Sequence, residues 1–263
     1  MTIDFHTHCF PERIAEKAMK KMAYESGCKP NSDGTLRELL QGMSDGKVDK
    51  AVVLSIATNA HQQHSVNDFA SSINGEKIIA FGSVYPDAPD ALCELDRIKS
   101  LGLKGVKFHP EYQGFYPDDE KMKPIYKKIS QLGLVTVFHA GADYGYPPPY
   151  HATPAHMAKA LTYLDTPVVA AHWGGIDCGE EVIKKLCGLP IYFDVSFGYG
   201  CISKYCAATI LEKHGTDKIL FGSDFPWHKP EWERYLLDTL SLTETEKEKI
   251  YYKNAKKLLN LDD

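Results

Sequence analysis

The hydrophobic positions along the chain fall into eight short runs that predict buried β-strands. Most of these runs are nearly continuous in apolar, often β-branched residues, and few alternate with polar ones. Strands that are covered on both faces have this pattern, as the strands of parallel sheets do. The predicted strands occupy residues 2–8, 50–57, 77–85, 103–110, 134–141, 167–175, 191–198 and 218–227.

Amphipathic segments between these runs predict helices. Several begin near an acidic residue or a proline, and several end at a glycine, which are signals of helix starts and stops. Pro124 lies inside one segment, where we expect a kink. The predicted helices occupy residues 11–25, 35–45, 87–102, 118–133, 153–165, 180–188, 203–215 and 243–259.

The alternation of strands and helices predicts the fold class α/β with a parallel sheet. Eight such units in 263 residues match the size of a single (β/α)8 barrel of the TIM type. An open, doubly wound sheet is the alternative. Because no Gly/Ser-rich linker or charge run divides the sequence, we interpret residues 1–263 as one domain.

Composition and charge argue against several classes of protein. The net charge is −5 with interspersed signs, and no basic stripe suggests a nucleic-acid partner. No apolar run approaches the roughly 18 residues that a membrane span needs, and the N-terminus lacks the pattern of a signal peptide, so we expect a cytoplasmic protein. The seven cysteines contain no C-x-x-C spacing, which argues against a four-thiolate zinc site.

Histidines and a carboxylate recur where the predicted strands end. His6 and His8 are two residues apart and therefore share one face of the first strand, although an isolated H-x-H also occurs among surface histidines. The carboxyl ends of the strands of a parallel barrel lie at one rim, so these side chains should meet there. Imidazole and carboxylate groups suit zinc and its first-row neighbours, and a metal site is predicted. The residues at the other strand ends are His109, His139, His172 and Asp224.

Taken in order, the motifs D-F-H-T-H, G-V-K-F-H-P, F-H-A-G, A-H-W-G-G and F-G-S-D-F-P resemble those of the amidohydrolase superfamily. Within it, the chain resembles the amidohydrolase-related (amidohydrolase 2) family of metal-dependent hydrolases and aminocarboxymuconate-semialdehyde-type decarboxylases. The resemblance covers almost the whole chain and implies that His6, His8, His139 and Asp224 bind the metal. It implies that His172 is either a ligand of a second ion or a catalytic group beside the bound water.

The fourth strand departs from the pattern of relatives with two metal ions, which often place a carboxylated lysine or a glutamate there. This sequence offers Lys107 and His109, with Glu111 just beyond. Lys107 is either such a carboxylated bridge or an ammonium group that binds a substrate anion. We therefore expect one ion, with two as the alternative, and assign Lys107 and His109 to substrate binding. Trp173 is assigned to the wall of the substrate pocket, with core packing as the alternative.

The predicted chemistry depends on a divalent cation, zinc first, with manganese or iron as alternatives. Such an ion lowers the pKa of its bound water to about 7. Asp224 would act as general acid–base and His172 would stabilise the developing oxyanion. We first expect a metal-dependent hydrolase that attacks the carbonyl of a small cyclic amide, lactone or ester. The alternative is a metal-dependent non-oxidative decarboxylase of an unsaturated or aromatic carboxylic acid, and a barrel that binds without turnover comes third.

The longest predicted loop, A-D-Y-G-Y-P-P-P-Y-H-A-T-P at residues 142–154, follows the fifth strand. Its prolines stiffen it, and its tyrosines suit either a lid over the pocket or a rigid crossover. The expected partner is a small anionic molecule. Exposed aromatic loops are also candidates for a homodimer contact.

Overall fold

The computed structural model describes residues 1–261 and contains eight parallel strands in that range. One sheet contains β1 (Ile3–Thr7), β2 (Lys50–Leu54) and β3 (Ile78–Phe81). The other contains β4 (Gly105–Phe108), β5 (Val135–Phe138), β6 (Val168–Ala170), β7 (Tyr192–Asp194) and β8 (Ile219–Leu220). Each predicted strand contains one of them. The observed strands are shorter because the last residues of each run leave the sheet and form the loops of one rim.

Isolated bridges join the two sheets at both of their edges. Gly82, just after β3, pairs in parallel with Val106 of β4, and Thr7 of β1 pairs with Phe225, beyond β8. The strands therefore follow one another in chain order around an α/β barrel, although the ladder is interrupted at these two seams. In a doubly wound sheet, by contrast, the strand order changes direction at one point within the sheet. The predicted barrel class is confirmed.

The α-helices lie between the strands and after the last one. Short 3-10 helices occupy Ala60–Gln62, Glu120–Met122, Leu161–Tyr163 and His172–Gly174, and a π-helical turn occupies Lys249–Lys253. The α-helices are α1 (Glu12–Ser26), α2 (Leu36–Asp45), α3 (Gln63–Ile73), α4 (Ala91–Ser100), α5 (Pro110–Gln113), α6 (Lys123–Leu132), α7 (Pro154–Ala160), α8 (Gly179–Lys185), α9 (Lys204–His214), α10 (Pro230–Asp238), α11 (Glu244–Glu248) and α12 (Asn254–Leu259).

The sequence pattern did not predict α3, the short α5 or α10. The inward face of α3 carries Gln63 and Asn67, and α10 buries Glu233, so polar residues interrupt the apolar stripe by which a helix is recognised. Pro124 lies in the first turn of α6, where proline is tolerated, and the expected kink is instead a change from a 3-10 turn to an α-helix.

The core consists of apolar strand residues with helices packed around them. One cluster joins Phe5, Val52, Phe81 and Val137 to α12 at the end of the chain. A larger cluster packs helices such as α4, α6 and α9 against the second sheet. Within residues 1–261, no helix is both long and apolar enough to cross a membrane. Positions 262 and 263 of the predicted domain lie outside the described residues.

Candidate metal centre and active site

Side chains from six of the strand ends meet at one rim of the barrel. They come from β1, β4, β5, β6, β7 and β8, or from the first residues after them. All are buried, apart from His8, which is slightly exposed. The residues are His6, His8, Lys107, His109, His139, His172, Asp194 and Asp224.

His6, His8 and Asp224 form the tightest group of candidate ligands. Nε2 of His8 lies 3.2 Å from Nε2 of His6 and 3.1 Å from Oδ1 of Asp224, and Nε2 of His6 lies 3.4 Å from that oxygen. Two nitrogens bound to one zinc ion are at most about 4.2 Å apart, twice the metal–nitrogen distance. These three atoms can therefore ligate a single ion.

The hydrogen bonds of the two imidazoles show which nitrogens remain for a cation. Nδ1 of His8 lies 2.9 Å from the carbonyl of Leu54, which can only accept, so Nδ1 carries the proton. Nδ1 of His6 donates to Oδ2 of Asp194 at 2.8 Å. Burial holds the pKa of His6 well below its usual value and keeps the ring neutral. Both Nε2 lone pairs therefore converge with Asp224 Oδ1, and this donor set fits a divalent cation.

A second pair of imidazoles faces each other beside this group. Nε2 of His172 lies 3.1 Å from Nδ1 of His139, and the ring centroids of His172 and His6 are 4.8 Å apart. Nε2 of His139 donates to the carbonyl of Ala142 at 3.0 Å, which leaves its Nδ1 unprotonated. Burial lowers the pKa of both His139 and His172 well below the usual value. His172 thus lies between His139 and His6, and it connects His139 to the group of candidate ligands.

Other contacts of His139 differ from the sequence prediction. Among the described residues, its closest group of possible ligands contains His109 and Asp143, and His6, His8 and Asp224 form a separate group. The rings of His139 and His109 stack at 4.1 Å, and Nε2 of His109 lies 3.2 Å from Oδ2 of Asp143. The role of His139 as a ligand of the same ion stays a prediction.

Asp194 is a residue of this site that the sequence analysis did not single out. Its carboxylate is completely buried and accepts from His6 Nδ1, from the backbone N–H of His172 at 3.0 Å, and from the N–H of Ser196 at 3.1 Å. The hydroxyl of Ser196 also donates to it. Asp194 thereby fixes the orientation of His6 and of the β6 loop. Its position at the end of a strand was the available signal, hidden inside the apolar run I-Y-F-D-V.

Lys107 lies within the same cluster. Its side chain is 1% exposed, and Nζ lies 3.4 Å from Nε2 of His6. Burial lowers the pKa of Lys107 to about 8, while Asp194 and Asp224 act in the opposite direction. This value lies above pH 7 and so favours the ammonium form within the cluster. Its role in substrate binding stays a prediction.

His109 lies in the middle of a column of stacked rings. Its ring stacks on Tyr112 at 3.7 Å with an interplanar angle of 11°, while its other face lies against His139. The Nδ1 atom accepts the N–H of Tyr112 at the start of α5. Both faces of the His109 ring are therefore covered, and His139, His109 and Tyr112 form one stacked column beside the candidate ligands.

Trp173 is 2% exposed and packs in the larger hydrophobic cluster. Its indole Nε1 is buried and has no hydrogen-bond partner among residues 1–261, and a Cβ at position 198 would lie 2.3 Å from it. The residue also borders a cavity beside His172. Trp173 therefore packs in the core and also lies next to the site. Its contact with a substrate stays a prediction.

Backbone strain is concentrated around this rim. His172, Trp173, Phe197 and Asp224 have φ values of 59°, 58°, 55° and 70°. This left-handed conformation costs non-glycine residues roughly 1–2 kcal/mol each. Such strain is typical of functional sites, where the surrounding structure holds side chains in a fixed orientation. Burial also raises the pKa of Asp224 from its usual value.

Comparison with known structures finds the same fold in chains of similar length. A TIM-barrel protein from Bordetella bronchiseptica is 18% identical with a TM-score of 0.78, and the match covers 98% of each chain. The 5-carboxyvanillate decarboxylase from Sphingomonas paucimobilis is 15% identical with a TM-score of 0.70 and 99% coverage of each chain. At such identities the likeness shows the fold.

A third similar structure is a dihydroxybenzoic acid decarboxylase from Polaromonas sp. JS666 with bound manganese and the inhibitor 2-nitroresorcinol. It is 15% identical with a TM-score of 0.74, and the match covers 100% of this chain and 97% of that one. A comparison with curated protein sequences gave no significant match. The family model described as amidohydrolase matches residues 3–261. The chain therefore belongs to the amidohydrolase family.

Proposed function

We propose that the protein is a metal-dependent decarboxylase that releases CO2 from an aromatic or unsaturated carboxylic acid. The observation behind this proposal is the buried amine of Lys107 beside the ligand group, where a substrate carboxylate would be bound, as both decarboxylases and lactonases require. Structures of decarboxylases that match the chain over nearly its full length favour this reaction over the hydrolysis that we first expected. The family membership is compatible with both reactions.

His6, His8 and Asp224 would hold the metal ion, with His139 and His172 adjacent to it. Imidazole and carboxylate ligands suit manganese as well as zinc, and the manganese in a similar structure supports testing both. When bound, the ion would polarise a substrate oxygen and offset its negative charge.

The residues of the chain account for the remaining steps. Lys107 would hold the carboxylate, and the stacked rings of His109 and Tyr112 would border one side of the substrate. Loss of CO2 breaks the carbon–carbon bond and leaves the electron pair on the substrate carbon, which must then take up one proton. Oδ1 of Asp224 faces His6 and His8, so Oδ2 would carry that proton and deliver it to the carbon. Solvent then returns one proton to Asp224.

The test uses protein loaded with manganese or zinc and a panel of hydroxybenzoates and unsaturated acids, each labelled with ¹³C in the carboxyl group. We expect labelled CO2 to be released by the loaded protein and not by chelator-treated protein. In D2O, one deuterium should appear at the vacated carbon. Hydrolysis of a parallel panel of lactones, cyclic amides and esters without release of CO2 would contradict the proposal and support a hydrolase.

A further inference from the structure

A cavity of about 500 Å³ adjoins the site at His172. His172 is one of its lining residues, and Nε2 of His172 lies 3.1 Å from Nδ1 of His139. A cavity of about 150 Å³ is enough for a benzene ring, and ligand pockets commonly have volumes of 300–1,000 Å³. The cavity therefore has room for a substantial group attached to a substrate that reacts beside His172.

Apolar side chains contribute much of the lining of this cavity. Trp173, Ile176, Phe197 and Ile202 line it. Phe197 lies at the junction, with its ring centroid 6.2 Å from that of His172. One face of the Phe197 ring stacks on His228 at 4.2 Å. This lining suits the carbon skeleton of a ligand.

The position of the Phe197 ring is fixed by its backbone conformation and by hydrogen bonds of the neighbouring residues. Its backbone has a φ of 55°, which a bulky residue adopts only when the surroundings enforce it. The buried carboxylate of Glu233 accepts the N–H groups of Gly198 at 3.1 Å and Tyr199 at 3.0 Å, and it also accepts Nδ1 of His228 at 2.7 Å. Glu233 therefore fixes both the loop that carries Phe197 and the ring that stacks on it.

The charge of the lining has one sign. Asp177, Glu180 and Glu181 carry carboxylates, of which that of Glu180 is paired with Lys184 at 3.6 Å, and among the described residues no lysine or arginine lines the cavity. Lys107, the cation of the reaction site, is not part of this lining. The negative charges disfavour a second anionic group at this end of a ligand and favour a neutral or cationic one.

We propose that this cavity, named here the tail pocket, binds the distal part of the substrate and selects substrates whose distal group is neutral or cationic. The inference rests on the proposed function, because Lys107 is taken to hold the carboxylate that is lost. The substrate class is then a carboxylic acid with one acidic end and an apolar body, extended by a group that lies near Asp177 and Glu181. Phe197 is the specificity-determining residue at the junction of the two parts.

The experiment measures binding of four probes to the metal-loaded protein by calorimetry: benzoate, 4-methylbenzoate, 4-(aminomethyl)benzoate and terephthalate. We expect the cationic probe to bind at least about tenfold more tightly than the dianion. The variants Asp177→Asn and Glu181→Gln should each lower the ratio of the two affinities by about two- to fivefold, because a partly exposed charge pair contributes that much to binding. Glu76→Gln, which removes an exposed carboxylate before β3, is the matched control and should leave the ratio unchanged. Equal affinity for the cation and the dianion, or a ratio that neither variant changes, overturns the proposal.

A thiol-labelling arm separates failure of the tail pocket from failure of the proposed function. Cys201 lines the cavity, whereas the exposed Cys93 lies on α4, outside the lining. A cationic methanethiosulfonate should modify Cys201 faster than an anionic one, relative to Cys93, whether or not any benzoate binds. If no probe binds, the proposed carboxylate site at Lys107 is wrong. The ratio of the two labelling rates at Cys201 then tests by itself whether the tail pocket prefers a cation. A cationic reagent that is no faster at Cys201 overturns the tail pocket.

Discussion

Nδ1 of His6 donates a hydrogen bond to Oδ2 of Asp194, 2.8 Å away and completely buried. This bond fixes the tautomer in which Nε2 of His6 faces the other candidate ligands. Because carboxylates behind metal-binding histidines commonly contribute 10–100-fold to metal affinity, we expect Asp194→Asn to weaken metal binding by about that factor. Competition with a fluorescent chelator measures the metal affinity of the wild type and of each variant. Asp217→Asn, at an exposed carboxylate, is the control, and equal affinities in all three proteins would show that Asp194 has no such role.

Asp224 is expected to transfer the proton of the reaction. The variant Asp224→Asn keeps the shape of the side chain but removes the acid, so kcat should fall by about 10²–10⁴-fold. Circular dichroism should show a fold that is largely retained, because the change is nearly isosteric. Turnover equal to that of the wild type would refute the role in proton transfer.

Lys107→Met removes the buried amine and keeps an unbranched side chain that is one atom shorter. A hydrogen bond to a charged group contributes roughly 1.5–3 kcal/mol, so KM for an anionic substrate should rise by about 10- to 100-fold. Metal content should stay at the wild-type level if the group is an ammonium. Loss of an ion in this variant would instead support the alternative of a carboxylated lysine that bridges two metals.

Glu233 is a buried carboxylate whose three partners are N–H groups. In Glu233→Ala the amides of Gly198 and Tyr199 lose their acceptor, and each unsatisfied buried group costs roughly 1–3 kcal/mol. Urea unfolding should show a loss of stability of that order for each amide. Glu233→Gln retains one acceptor oxygen and should recover part of it. Equal stability of both variants and the wild type would show that water replaces the carboxylate.

The barrel could be predicted from the sequence because each strand is a run of apolar residues. The position of the motif residues at one rim could be predicted because each motif lies where such a run ends. Helix α3 could not, because its inward residues Gln63 and Asn67 are polar and form hydrogen bonds with other segments, such as the one from Asn67 to Ser83. A hydrophobic period carries no information about such partners.

The site could be predicted only in part, for a similar reason. The positions of His6, His8 and Asp224 at strand ends brought them together as expected. The orientation of His139 depends on a hydrogen bond to Ala142 in the following loop, and its stacking depends on His109. Asp194 was missed because it lies inside an apolar run. Ring orientation and loop contacts are tertiary properties that strand-end positions do not encode.

The metal content of the purified protein tests the central claim most directly. We expect elemental analysis after dialysis to find about one divalent ion per chain in the wild type, and far less in His6→Gln and His8→Gln, with folding retained by circular dichroism. A matched substitution at the exposed His61 should leave the metal content unchanged. A wild-type protein that retains no divalent ion after incubation with manganese and zinc, or variants that bind as much as the wild type, would contradict the account.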